Sequence, residues 1–222
     1  MIIGISGMIS SGKSTLTKSL VNRFENSDLL LEFDEKDEVF NTFLKWLYEK
    51  KENLTIGFQT YIIESHSSIF SKKIKEFNEK NKNNKVKGHF FLDRFSIEHN
   101  IFAQINLAQK EPKYMRAYNL AFKELITKEE LPELAIFLDV SFETFKERFF
   151  KREREVETNN WELNKEYFET LHKFYRPYFE NLCNEFNLKY FIVDTNNLSE
   201  QEVEEKVVEI INNYSKNAEH KK

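Results

Sequence analysis

The sequence holds a single cysteine, Cys183. That excludes an internal disulfide framework and argues against a cysteine-built metal cluster. It has no apolar run long enough to span a membrane, and the apolar opening Met1–Ile5 is too short, and lacks the positive flank, for a secretory signal. It also lacks a basic excess: 33 Lys and Arg stand against 37 Asp and Glu, for a net charge of −4. A dedicated nucleic-acid binder carries a basic surplus or stripe. The local basic clusters here disfavour a polymer partner but leave room for a small anionic ligand. There is no internal repeat and no Asn-Lys-x-Asp guanine signature. Together these absences point to a cytoplasmic protein acting on small molecules, with no membrane and no nucleic-acid partner.

What remains is a chain of 222 residues, 40% hydrophobic, enough for one α/β domain with a substantial core. Short apolar runs read as strands at Met1–Ser6, Leu29–Phe33, Gly88–Leu92, Leu134–Val140 and Tyr190–Val193. Amphipathic stretches between them read as helices at Lys13–Phe24, Glu38–Lys50, Thr55–Lys82, Ile97–Gln109, Tyr114–Lys128, Asn164–Asn187 and Ser199–Tyr214. Pro112 and Pro132 punctuate the fifth of these, and Pro177 is a candidate bend in the sixth. Ser141 caps a further helix whose stripe is Phe142, Phe145 and Phe149. The alternation predicts a five-stranded parallel sheet with helices on both faces, in one domain over 1–214, followed by a frayed tail over 215–222. Ligands of such sheets bind at the carboxyl ends of the strands.

At that edge, Gly7-Met8-Ile9-Ser10-Ser11-Gly12-Lys13-Ser14 fits the phosphate-loop pattern G-x-x-x-x-G-K-[ST] between a strand and a helix. The glycines allow a tight backbone path, so amides and the helix dipole face the β- and γ-phosphates. Lys13 adds a point charge, and the Ser14 hydroxyl suits Mg²⁺. With Thr15, this segment is the expected ATP site, in a P-loop NTPase-like fold. Ile136-Phe137-Leu138-Asp139 could pass for a Walker B element. Arg148, Arg152 and Arg154 run at helical spacing into a charged segment, 151–160, that reads as a mobile lid. Fixed guanidinium groups there would stabilise the charge of a transferring phosphoryl group. The bland alternative is a solvated face on which Glu147, Glu153 and Glu155 pair with these arginines.

These residues resemble the deoxynucleoside kinase family from the phosphate loop to about Asp194. Tyr48-Glu49-Lys50 and Phe58-Gln59-Thr60-Tyr61 keep the family's spacing, Asp93-Arg94 follows the third strand, and Arg148, Arg152, Arg154 and Glu157 match its arginine-rich lid. The resemblance implies a fold of five parallel strands, usually a homodimer, using ATP and Mg²⁺ to phosphorylate a nucleoside. It implies Asp93 as base or metal organiser beside Ser14, Arg94 orienting phosphate or carboxylate, and Glu32 near the 5′-hydroxyl. Tyr48 and Glu157 would hold the 3′-hydroxyl, Gln59 would pair with the base, and Phe102 would stack on it. Each has a plainer alternative: a strand-end ion pair for Asp93-Arg94, a polar helix face for Gln59, core packing for Tyr48, and for Glu32 the nearby acids Asp34 and Glu35.

The sequence departs from the family at three points. Phe33 replaces a proline after Glu32, and His66 and His99 stand at the two positions that read the base, although a second alignment puts Glu98 in place of His99. The two histidines suggest an altered base preference, toward purines. Two rival readings stay open: a thymidylate-type monophosphate kinase, and a nucleotide-binding regulatory module without catalysis.

Overall fold

The computed structural model describes residues 1–32 and 36–219. Phe33, Asp34 and Glu35 lie outside the described residues. Five strands, β1 (Ile2–Gly7), β2 (Asp28–Leu30), β3 (Phe90–Asp93), β4 (Leu134–Asp139) and β5 (Tyr190–Asp194), pair wholly in parallel in the order β2-β3-β1-β4-β5. Their side chains alternate between two cores, as a period of two requires. Ile3, Ile5, Phe91, Leu134, Ile136 and Leu138 enter one core with α1 (Lys13–Arg23) and α9 (Glu200–Glu219). Phe90, Leu92, Ala135 and Phe137 enter the other. That core is covered by α2 (Glu38–Tyr48), α3 (Thr55–Asn81), α4 (His99–Asn106), α5 (Pro112–Leu125), α6 (Phe142–Lys151) and α8 (Trp161–Glu185). Among the described residues no helix is long and apolar enough to cross a membrane.

Local chemistry sets the ends of the elements. The Asp37 carboxylate caps α2 by accepting from the Phe40 amide at 2.9 Å, and it also accepts from the Tyr61 hydroxyl at 2.8 Å, which fastens α2 to α3. Ser141 caps α6 through the Thr144 amide. Asn187 takes a left-handed φ of 54° and ends α8 while Leu188 N donates to Cys183 O at 2.8 Å. α8 continues through Pro177 as one element.

Several boundaries differ from the sequence reading by a few residues, and three segments differ in kind. The segment before α4 is a 3-10 turn over Ser96–Glu98 rather than the start of the helix, and it buries Ser96 and Glu98. Within 151–160 the chain forms a further short helix, α7 (Glu155–Thr158), because Glu157 turns inward and its carboxylate accepts from Arg154. α9 runs on to Glu219, through most of the segment read as a frayed tail.

The turn into β3 is held by Asn81, whose amide donates to Asn26 O at 3.0 Å and accepts from Gly88 N at 3.1 Å. The backbones approach so closely that a Cβ on Gly88 would lie 1.8 Å from Asn26 O. Gly88→Ala is therefore expected to destabilise the fold by about 2 kcal/mol or more, read as a lower urea midpoint.

Candidate active site

The phosphate loop begins as β1 ends. Gly7 and Gly12 have φ of 142° and 96°, and Gly12 caps α1 in the left-handed region that a side chain would strain. Ser11 N donates to Met8 O, and the Lys13 ammonium folds back onto the same carbonyl at 3.0 Å. Burial, then the nearby Arg94, lowers the Lys13 pKa to about 8, against the opposing pull of Glu32, Asp93 and Glu98. A cleft of 2010 Å³ opens over this loop at the carboxyl edge of the sheet and continues as a groove along α1 and α9.

Lys13 and Asp93 open onto that one cleft, as do Ile9, Ser10, Ser11, Gly12, Ser14 and Thr15. Glu32, Tyr48, Gln59, Arg94, His99, Phe102, Arg148, Arg152, Arg154 and Glu157 line it too. Gly7, Met8 and His66 stand behind it; Met8 packs in the core. Asp139 lies off the cleft, its carboxylate taken by Arg176 at 2.6 Å.

Asp93, 3% exposed, ends β3. Burial raises its pKa, an effect that Lys13 and a hydrogen bond from Ser14 only partly offset. Among the described residues its Oδ1 has no hydrogen-bond partner. Arg94 follows in the left-handed region at φ 66° and is 1% exposed. Its Nε donates to Glu32 Oε1 at 2.7 Å, and its guanidinium lies against the Phe102 ring at 4.7 Å. Burial alone would raise the Glu32 pKa, but Arg94 and Lys13 outweigh it, and Glu32 sits below the usual carboxylate range.

Across the cleft, Tyr48 ends α2, its carbonyl accepting from Asn164 Nδ2 at 2.8 Å. Its phenol is pushed far up, first by burial and then by the Glu157 carboxylate. Glu157 is held by Arg154 at 3.2 Å, and its Oε2 finds no partner among the described residues. Gln59, His66 and Phe70 share the buried face of α3 with Ile63. Arg148 turns to the backbone, donating to Ser11 O at 3.2 Å and Thr195 O at 2.8 Å, so it joins the phosphate loop to the segment after β5.

Sequence reasoning passed over Asn106 and Tyr167, which line the cleft, and Tyr175 and Ser6 behind it. The helical stripe of α8 (Asn164, Phe168, Leu171, Tyr175) carried a signal for Tyr175, because it includes polar atoms that need buried partners.

A phosphate loop opening onto a cleft with buried polar and charged groups at the edge of a parallel sheet defines a P-loop nucleotide-binding protein. The family model for deoxynucleoside kinase matches residues 3–216, and the chain belongs to that family. It is 32% identical over 211 residues to an uncharacterized protein of Mycoplasma pneumoniae, covering 93% of this chain and 87% of that one. It is 25% identical over 188 residues to the deoxyadenosine kinase of Lactobacillus acidophilus, covering 81% and 80%. The structure of deoxyadenosine kinase from M. mycoides with bound dATP superposes with a TM-score of 0.70 at 25% identity, covering 96% of this chain and 99% of that one.

His66 and His99 are each 3% exposed, with ring centroids 5.0 Å apart. Neither nitrogen of His66, nor Nε2 of His99, makes a well-formed hydrogen bond among the described residues; Glu32 and the Arg94 backbone favour the charged form of His66 but do not overcome burial. Burial lowers the His66 pKa from 6.5 to about 4 and holds His99 well below its usual value. Unfolding frees both to take protons below pH 6.5. Their contribution to stability is complete above that pH and is lost as the pH falls; for His66 the loss runs toward pH 4, by up to about 1.4 kcal/mol per pH unit. His66→Phe should flatten the loss of urea stability between pH 6.5 and 4.

Proposed function

We propose that this chain transfers the γ-phosphate of ATP to the 5′-hydroxyl of a deoxynucleoside. The observation that carries the reading is that the phosphate-loop Lys13 and the Asp93 carboxylate open onto one cleft, with room beside them for a second ligand. Family membership supports it.

ATP lies with its β- and γ-phosphates on the amides of Gly7–Thr15 and on the Lys13 ammonium. The nucleoside fills the pocket between Tyr48, Gln59 and Phe102, with its 3′-hydroxyl held by Tyr48 and Glu157. Glu32, kept ionised by Arg94, accepts from the 5′-hydroxyl and aims it at the γ-phosphorus. As the 5′-O–P bond forms and the bond to the ADP oxygen breaks, the hydroxyl hydrogen turns from Glu32 to Asp93, whose basicity burial increases and which takes the proton. Arg152 and Arg154 face the charge on the transferring group, while Arg148 holds the loop they close upon. The unpartnered Asp93 Oδ1 beside the Ser14 hydroxyl is a donor pair that fits Mg²⁺. Bound there, the ion would offset phosphate charge. We further propose a homodimer, tested by sedimentation.

Asp93→Asn should cut turnover by about 10²-fold or more while ATP affinity stays within severalfold of wild type. Steady-state ADP release and calorimetry measure the two. Release with dTMP but with no deoxynucleoside would overturn the acceptor assignment, and no deoxynucleoside-dependent release at all would overturn the enzyme.

For the base, Gln59 can donate and accept at once, and each neutral imidazole brings one donor and one acceptor. We propose that His66 and His99 set the base preference, toward purines, with His99 at the cleft and His66 fixing it from behind. A panel of four deoxynucleosides should rank differently for His66→Arg; an unchanged ranking would remove His66 from the assignment.

A further inference from the structure

The fully buried carboxylate of Glu98 has no place in the chemistry above and does not line the cleft. Among the described residues it nonetheless accepts from four donors. Its Oε2 accepts from the Ser6 hydroxyl, from the Tyr175 hydroxyl at 2.9 Å and from Arg94 Nη1 at 3.5 Å. Its Oε1 accepts from Phe95 N at 3.3 Å. These donors come from three separate elements: Ser6 immediately precedes the phosphate loop on β1, Arg94 and Phe95 follow β3, and Tyr175 lies on α8. Every contact is a donor pointing at the carboxylate, the arrangement that an ionised acid requires.

Arg94 connects this group to the cleft. The guanidinium bonds Glu32 through one nitrogen and Glu98 through another, and the edge-to-face pair of Phe102 and Tyr175 rings packs against it at 4.7 and 5.4 Å. A fork with two carboxylates at different nitrogens has its plane fixed, and Glu32 is oriented in turn. From this geometry we infer that Glu98 is a positioning residue of the phosphotransfer reaction, aiming the Arg94–Glu32 pair at the acceptor hydroxyl while tying it to the strand that carries the phosphate loop. The inference rests on the kinase reading and adds to it a residue that touches neither substrate.

The ionised state of Glu98 is poised. Burial lifts its pKa to about 7, against Arg94, Ser6, Lys13 and the Phe95 amide. The other groups facing it are Tyr175 and, on the same helix, Cys183, whose thiol burial pushes up to about 12 and so keeps neutral. Glu98 is charged above pH 7 and neutral below. When it is neutral, the whole charge of Arg94 falls on Glu32, which becomes a weaker acceptor for the hydroxyl.

The test compares wild type, Glu98→Gln and Tyr175→Phe, with folding checked by circular dichroism and ATP affinity by calorimetry. Wild-type kcat/KM for the deoxynucleoside should fall as pH drops through 7, since that ratio reports the free enzyme. Glu98→Gln should lower kcat at pH 8 by about tenfold to a hundredfold with KM for both substrates nearly unchanged, as expected for misplaced groups, and should lose the step near pH 7. Tyr175→Phe removes one donor from the carboxylate and should move the step to higher pH. A Glu98→Gln enzyme with wild-type kcat, or one retaining the step, overturns the inference. If that variant does not fold, an unmoved step in Tyr175→Phe overturns it and an upward shift sustains it. A wild-type protein without turnover on any deoxynucleoside overturns the kinase reading itself, whereas failure of the variants alone leaves that reading standing.

Discussion

Arg94 is a cation with almost no contact with water, and the arrangement of the cleft follows from how it is accommodated. Moving a guanidinium out of water costs several kcal/mol even after relaxation, so it persists only where paired charges and hydrogen bonds surround it. Here Glu32 and Glu98 supply the charge, and the rings of Phe102 and Tyr175 pack against the cation. The backbone contributes as well. Arg94 N donates to Ile5 O at 2.9 Å, extending the β1–β3 ladder by one bond, and the left-handed φ that follows turns the chain away from the sheet at once. That conformation costs about 1 kcal/mol in a non-glycine residue, and the buried ion pairs hold it in place.

The cluster around this arginine has a definite charge balance. Lys13 and Arg94 oppose Glu32, Asp93 and Glu98, so full ionisation would leave one excess negative charge in a largely buried space. The pKa directions show how the excess is relieved. Glu32, bonded directly to Arg94, is stabilised as an anion, whereas Asp93 and Glu98 are driven upward by burial. The acid nearest the phosphate loop is thereby the more basic of the two that face the cleft. An incoming polyphosphate adds negative charge, which favours the protonated form of Lys13 and draws its ammonium off the Met8 carbonyl.

The legible part of this architecture is the part in which chemistry dictates residue type at fixed spacing. The phosphate loop requires glycine, lysine and a hydroxyl residue at set positions, and the parallel strands, buried on both faces, read as continuous apolar runs. Glu98 was legible only as the alternative to His99 at a base-reading position, and its burial was hidden for the opposite reason. Between Ile97 and His99 it reads as a polar position on a helix, and only the 3-10 turn that displaces the start of α4 rotates it inward. α7 was hidden as well, because 151–160 holds almost no apolar residue; its order comes from a buried carboxylate paired with Arg154. Burial of polar groups is set by tertiary partners far away in the chain, and no local periodicity records it.

α8 joins these features. Near its start Asn164 holds the Tyr48 carbonyl, one turn on Tyr167 lines the cleft, and further along Tyr175 holds Glu98. Its first residue, Trp161, stacks on Phe168 at 5.4 Å and meets Phe149 of α6 at 5.2 Å. Both ends of the arginine segment are thus fixed in one aromatic cluster, at Phe149 before it and Trp161 after it. Any movement of Arg152 and Arg154 over the cleft is a swing of about ten residues between two stationary anchors, and large excursions would require pulling Trp161 from between rings. Such a tether keeps the guanidinium groups near the phosphate loop and leaves only a short travel to exclude water. The helix that carries the second anchor is also the one that supports Glu98, so the arginine segment and the Glu98 cluster are referred to a single element.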